Sequence, residues 1–202
     1  AFDVPGLETP VDTPAEVAAA SEVVFTMVTT GADVEAVALG EGGIIHGAKA
    51  GTVLVDMGTI PPDTARRIAA KLAERGIEAI DAPVSGGEVG AQNATLAIMA
   101  GGKAEVLARV RPLLEKLGKT IVHIGPNGAG QVAKACNQMI MVSCIEAVAE
   151  TMLLAQRSGA DPEKVRLALS GGSAGSRVLE VFGAKMTARD FKAGVEARLH
   201  HK

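Results

Sequence analysis

Between residues 23 and 123, short apolar runs of strand length alternate with longer amphipathic stretches, and this alternation constrains the fold more than any other feature of the chain. The runs at 23–27, 52–56, 78–82, 96–100 and 120–124 predict strands. The stretches at 13–20, 62–75 and 103–117 predict helices, with a shorter one at 34–39. Strand, helix, strand in repetition implies an α/β fold with a largely parallel sheet covered by helices. Local punctuation agrees, since Pro61-Pro62-Asp63 suits a helix start and Gly76 suits a C-terminal cap.

The texture changes after Gly125-Pro126-Asn127-Gly128. Residues 129–157 form one segment that is apolar over most of its circumference, and such a helix is expected to be buried between layers or domains. Asp161-Pro162 then supplies the cap and first position of a helix through Leu169, Gly171-Gly172 breaks it, and Ser176 starts another segment toward Lys185. No strand pattern follows Ile124. The expected boundary lies near Asn127, with an α/β domain over 1–127 and an all-helical domain over 128–202.

A hydrophobic share of 48% with 21% charged residues in 202 places the chain among soluble globular proteins and excludes disordered and collagen-like classes. The net charge of −3, with no basic cluster interleaved with aromatics, argues against nucleic acid as a partner. Cys136 and Cys144 lie eight apart in one helical pattern, a separation of about 12 Å at 1.5 Å per residue, too far for a disulfide. They are expected to be small core residues in a reducing compartment. No apolar run approaches the roughly 18 residues that span a bilayer, and the start lacks a leader-like pattern, so no membrane and a cytoplasmic location are expected. His46, His123, His200 and His201 lack ligand spacing, and no metal is expected.

Gly128-Ala129-Gly130-Gln131-Val132-Ala133 matches the dinucleotide fingerprint G-x-G-x-x-A, but no strand with a terminal acid follows within about 30 residues, as that fingerprint requires. These glycines are read as allowing close helix packing. Lys134 is the sharper candidate: a charge one turn into an Ala, Val, Cys, Met and Ile helix is costly without a partner, and Asn137 and Gln138 share its face. An ammonium held there can donate a proton to a carbonyl oxygen; the bland alternative is a lysine stem lying along an interface. Ser85-Gly86-Gly87 follows a strand end, where open α/β sheets place ligands, and its N–H groups and hydroxyl suit a carboxylate; a Ser-capped turn would read the same. Met27-Val28-Thr29-Thr30 and Asp56-Met57-Gly58-Thr59 are two further strand ends with hydroxyls outside them.

With those residues in view, the chain resembles the β-hydroxyacid dehydrogenase family from about Gly6 onward. Asp81 to Gly87, continued through Thr95-Leu96-Ala97-Ile98-Met99-Ala100-Gly101-Gly102, looks like the family's substrate signature, and Gly128 to Gln138 looks like its catalytic signature. The resemblance implies a Rossmann-like NAD(P)-binding domain and a helical substrate and dimerisation domain, each incomplete here. It implies Lys134 as the catalytic lysine, Ser85, Gly86, Gly87 and Asn137 as substrate-binding residues, and Met27, Val28, Thr59 and Lys202 as contacts of NAD or NADP. Glu88 and Gly171-Gly172-Ser173-Ala174-Gly175-Ser176 look most like the tartronate semialdehyde reductase branch.

The implied activity is hydride transfer between nicotinamide and a small β-hydroxy acid or semialdehyde, of 2-hydroxy-3-oxopropionate or 3-hydroxyisobutyrate type, by a homo-oligomer. The chain also departs from the family pattern. No strand and G-x-G-x-x-G loop precede Gly6, Asp3 stands where a ribose acid would, and helices are expected beyond Lys202. The rival reading is a catalytically silent binding or assembly module that keeps the acid cradle without a working nucleotide loop.

Overall fold

Each of the five apolar runs forms a strand in the computed structural model, which describes residues 11–192. The order is α1 (Pro14–Ala19), β1 (Val23–Thr26), α2 (Gly31–Leu39), α3 (Ile44–Gly47), β2 (Val53–Asp56), α4 (Pro62–Ala73), β3 (Glu78–Asp81), β4 (Val84–Ser85), α5 (Gly87–Gln92), β5 (Leu96–Gly101), α6 (Ala104–Leu114) and β6 (Gly118–Gly125). Helices α7 (Ala129–Arg157) and α8 (Pro162–Ser170) follow, then a π-helical turn over Leu179–Gly183 and α9 (Ala184–Thr187). The chain divides after Lys134 into two compact units.

In the first unit, β1, β2 and β3 pair in parallel, with Thr26, Asp56 and Asp81 in one row across their C-terminal ends. β5 then runs antiparallel to β3, meeting it at Asp81 and Gly101, and β6 runs parallel to β5. The sheet is thus largely parallel, as the alternation implies, with an antiparallel junction between β3 and β5 and the short β4 antiparallel on β5. The reason is the connection: the chain leaves β3, makes the short strand β4 antiparallel to β5, and turns through Gly86 and Gly87 into a six-residue helix, less than a crossover usually needs. Gly86 at φ 139° and Gly87 at φ 62° adopt backbone that disfavours side chains, which is what lets the chain reverse there.

Side-chain alternation along β2 sends Val53 and Val55 to one face and Leu54 to the other. Val106, Leu107, Val110 and Leu114 of α6 close the first face. Val34 and Ala38 of α2 with Ala65, Ile68 and Leu72 of α4 close the second. A strand buried on both faces leaves function to its ends, where loops emerge.

In the second unit, Asp161 accepts N–H bonds from Glu163 and Lys164 and Pro162 opens α8, as the dipeptide predicts. Among the described residues no strand follows β6. Two expectations need correction. Along α7, Met139, Ile140, Val142, Leu153 and Leu154 are exposed rather than buried. Cys136 is also exposed and Cys144 half-buried, both as free thiols, because they sit on that open part of the helix. A third correction concerns length, since α7 at 29 residues is long and apolar enough to cross a bilayer by composition alone. Apolar runs interrupted by Asn137, Gln138, Glu146 and Glu150 add up over a continuous helix in a way that run counting misses.

Candidate functional site

The row Thr26, Asp56, Asp81 puts two carboxylates side by side under the strand ends, 5% and 4% exposed. Asp56 Oδ1 accepts from the Thr26 hydroxyl at 2.8 Å and from the Gly58 N–H at 3.2 Å, while its Oδ2 is buried with no partner. Burial pushes the Asp56 carboxyl up, and these two hydrogen bonds only partly oppose it. Asp81 is pushed up by the same desolvation and pulled back by backbone N–H groups of the turn that opens α7.

That turn is held tightly. The Gly128 N–H donates to Asp81 Oδ1 at 2.7 Å and the Gln131 N–H to Oδ2 at 3.1 Å. Asn127 Nδ2 donates to the Ala79 carbonyl at 2.8 Å. Gln131, 2% exposed, donates from Nε2 to the Gly58 carbonyl at 2.9 Å and accepts the Ile60 N–H at 3.1 Å. Its amide therefore brackets Thr59. A Cβ on Gly130 would collide with the Met99 and Asp81 carbonyls, so only glycine permits this approach. The fingerprint-like glycines thus seat the helix on the sheet, and the positive end of α7 is filled by the chain's own carboxylate.

Lys134, one turn further along, is 9% exposed. Desolvation alone lowers its pKa, and no carboxylate among the described residues offsets it. An ammonium in that state gives up its proton more readily than an exposed lysine. Asn137, three residues on in α7, donates from Nδ2 to Gln138 Oε1 at 2.9 Å.

Ser85 ends β4, half-buried, and the cap position of α5 falls to Gly86, with no side-chain cap bond. The capped-turn reading of Ser85 is therefore not what forms. A Cβ on Gly87 would meet nothing within 4 Å, so open space faces this turn. Thr30, by contrast, is an ordinary cap, accepting from the Asp33 N–H with Asp33 returning the bond.

Met27 follows β1 and is 68% exposed; Val28 and Thr59 are half-buried in the loops after β1 and β2. An exposed apolar side chain and a hydroxyl, both beyond the carboxyl ends of parallel strands, fit a dinucleotide lying across that edge. Lys202 and Asp3 lie outside the described residues. No group of three metal-ligating side chains occurs among the described residues. The anchors Asp81 and Gln131 had no assigned role in the sequence reading; a glutamine inside an Ala and Val helix face was the available signal.

The parallel strands, with their carboxyl ends opening into loops on one edge, define a Rossmann-like α/β fold. Two family models match, the NAD binding domain of 6-phosphogluconate dehydrogenase over residues 6–125 and the NAD-binding domain of NADP-dependent 3-hydroxyisobutyrate dehydrogenase over 128–202. The chain belongs to the β-hydroxyacid dehydrogenase family, and its cofactor is NAD or NADP. It is 47% identical over 192 residues to 2-hydroxy-3-oxopropionate reductase of Escherichia coli, covering 95% of this chain and 66% of that one. It is 40% identical over 162 residues to 3-hydroxyisobutyrate dehydrogenase of Pseudomonas aeruginosa, covering 80% and 54%. The structure of Mycobacterium tuberculosis 3-hydroxyisobutyrate dehydrogenase with L-serine superposes with a TM-score of 0.81 at 33% identity, over 92% of this chain and 65% of that one. The chain thus spans less than two thirds of the length of each of these relatives. None of them supports the silent-module reading.

Proposed function

We propose that the protein is an NAD(P)-dependent oxidoreductase acting on a small β-hydroxy acid or its semialdehyde, of 2-hydroxy-3-oxopropionate or 3-hydroxyisobutyrate type. The observation that carries this reading is Lys134, a buried ammonium with no acid partner among the described residues, on a helix anchored to the strand ends. Lys134 gives the proton to the carbonyl oxygen in reduction and takes it from the hydroxyl in oxidation. Asn137 orients that oxygen, and the Ser85 hydroxyl with the Gly86 and Gly87 N–H groups receives the carboxylate. On this reading Met27, Val28 and Thr59 would contact the cofactor, as would Lys202, which lies outside the described residues, and the nicotinamide supplies or accepts the hydride when bound. Higher identity to the reductase than to the dehydrogenase favours 2-hydroxy-3-oxopropionate as substrate.

The lysine substitution tests the reading. In the full chain, Lys134→Ala is expected to lower kcat by about 10²-fold or more, with KM less affected. Turnover near the native rate would overturn it. The same reading takes the protein as a cytoplasmic homo-oligomer, joined through its helical part.

A further inference from the structure

We propose that Asp81 is a positioning residue for Lys134: its carboxylate grips the turn that opens α7 and sets the depth and rotation at which the lysine is presented. This rests on the reading of Lys134 as the proton donor and extends it to a residue that touches no reacting atom.

The two oxygens of Asp81 divide the turn between them, Oδ1 on the Gly128 N–H and Oδ2 on the Gln131 N–H. Both bonds run from the last residue of β3 to a helix about 50 positions later, so they join two elements rather than complete one. The Gln131 side chain makes the matching tie to the loop after β2, at Gly58 and Ile60. A helix start pinned to two adjacent strand ends cannot rotate or slide without breaking one pair. Lys134 follows Gln131 by three residues, most of a turn and about 4.5 Å of rise, so the anchored turn determines where its stem begins. Space was cleared for this contact: a Cβ on Gly101 would fall 2.7 Å from both Asp81 oxygens and from the Gly130 nitrogen. A capped helix needs no such cross-sheet seat, because a local Ser, Thr or Asn satisfies the first N–H groups.

In the full chain, assayed with 2-hydroxy-3-oxopropionate and NADH or NADPH, Asp81→Asn keeps the shape but leaves one N–H facing an amide donor. Misplacement of a catalytic group by about 1 Å costs on the order of 10²-fold. The expected result is a fall in kcat of about tenfold or more, KM for NADH and NADPH unchanged, and a displaced lysine limb in the pH profile of kcat. A purely structural role would lower Tm and leave kcat and its pH profile native well below Tm. That outcome overturns the proposal, provided Lys134→Ala is inactive in the same assay. If Lys134→Ala retains native turnover, the functional reading and this inference both fall. Gln131→Met, which removes the second anchor and keeps the helix, is expected to lower kcat in the same manner; it decides the matter should Asp81→Asn not fold, with native kcat and pH profile counting against the proposal.

Discussion

At the scale of the residue, Lys134, the proposed proton donor, opposes the stability of its own fold. Its folded pKa lies below the ordinary 10.5, so the unfolded chain holds the proton more tightly than the folded one. The resulting penalty is full below the folded pKa and fades as pH rises toward 10.5. Lys134→Met, which keeps the volume and removes the charge, is therefore expected to raise Tm at pH 7, with the difference shrinking in melts at increasing pH. A Tm lowered at pH 7 would show that the ammonium is stabilised by something beyond the contacts described. The candidacy of Lys134 was legible from sequence because its neighbours are apolar; its lack of an acid partner among the described residues was not, because partners come from distant elements.

At the scale of the element, the opening turn of α7 depends on glycine for closeness rather than for a nucleotide. Gly130→Ala would press its methyl against the Asp81 carbonyl at 2.7 Å and the Asp81 Oδ2 at 2.9 Å, besides the Met99 carbonyl. Relief requires moving the helix start, and overpacking of this kind costs about 1–3 kcal/mol. Urea denaturation is expected to show that loss, alongside a Tm lowered by roughly 2–4 °C per kcal/mol for a chain of this size. The motif G-x-G-x-x-A was readable as a pattern, and no strand with a terminal acid follows it among the described residues. What meets the turn instead, the Asp81 carboxylate, sits 47 residues upstream of Gly128 and has no local signature.

At the scale of the whole molecule, the apolar side chains left open on α7 are the feature to explain. Met139 and Ile140 recur as Leu153 and Leu154 fourteen residues later, about four turns at 3.6 residues each, so they return to one side of the helix. Exposed apolar side chains grouped on one side of a helix mark a candidate interaction surface, although the exposed Glu146 and Glu150 lie between the two pairs. Sedimentation of the full chain is expected to give a multiple of the protomer mass, and Ile140→Glu combined with Leu154→Lys is expected to shift it toward the monomer. A native chain that sediments as a monomer at micromolar concentration would remove the homo-oligomer from the functional reading.

The α/β alternation, the helix starts at Pro62 and Pro162, and the candidacy of Ser85-Gly86-Gly87 and Lys134 were all written in local sequence. Each depends on periodicity, capping or side-chain type within one or two turns of chain. Folding in three dimensions settled the rest. It reversed β5 against β3, laid Asp56 beside Asp81 in one buried row, filled the head of α7 with a carboxylate, and left much of that helix uncovered. These outcomes turn on which distant groups meet and how much water they exclude, and residue spacing along the chain carries neither quantity.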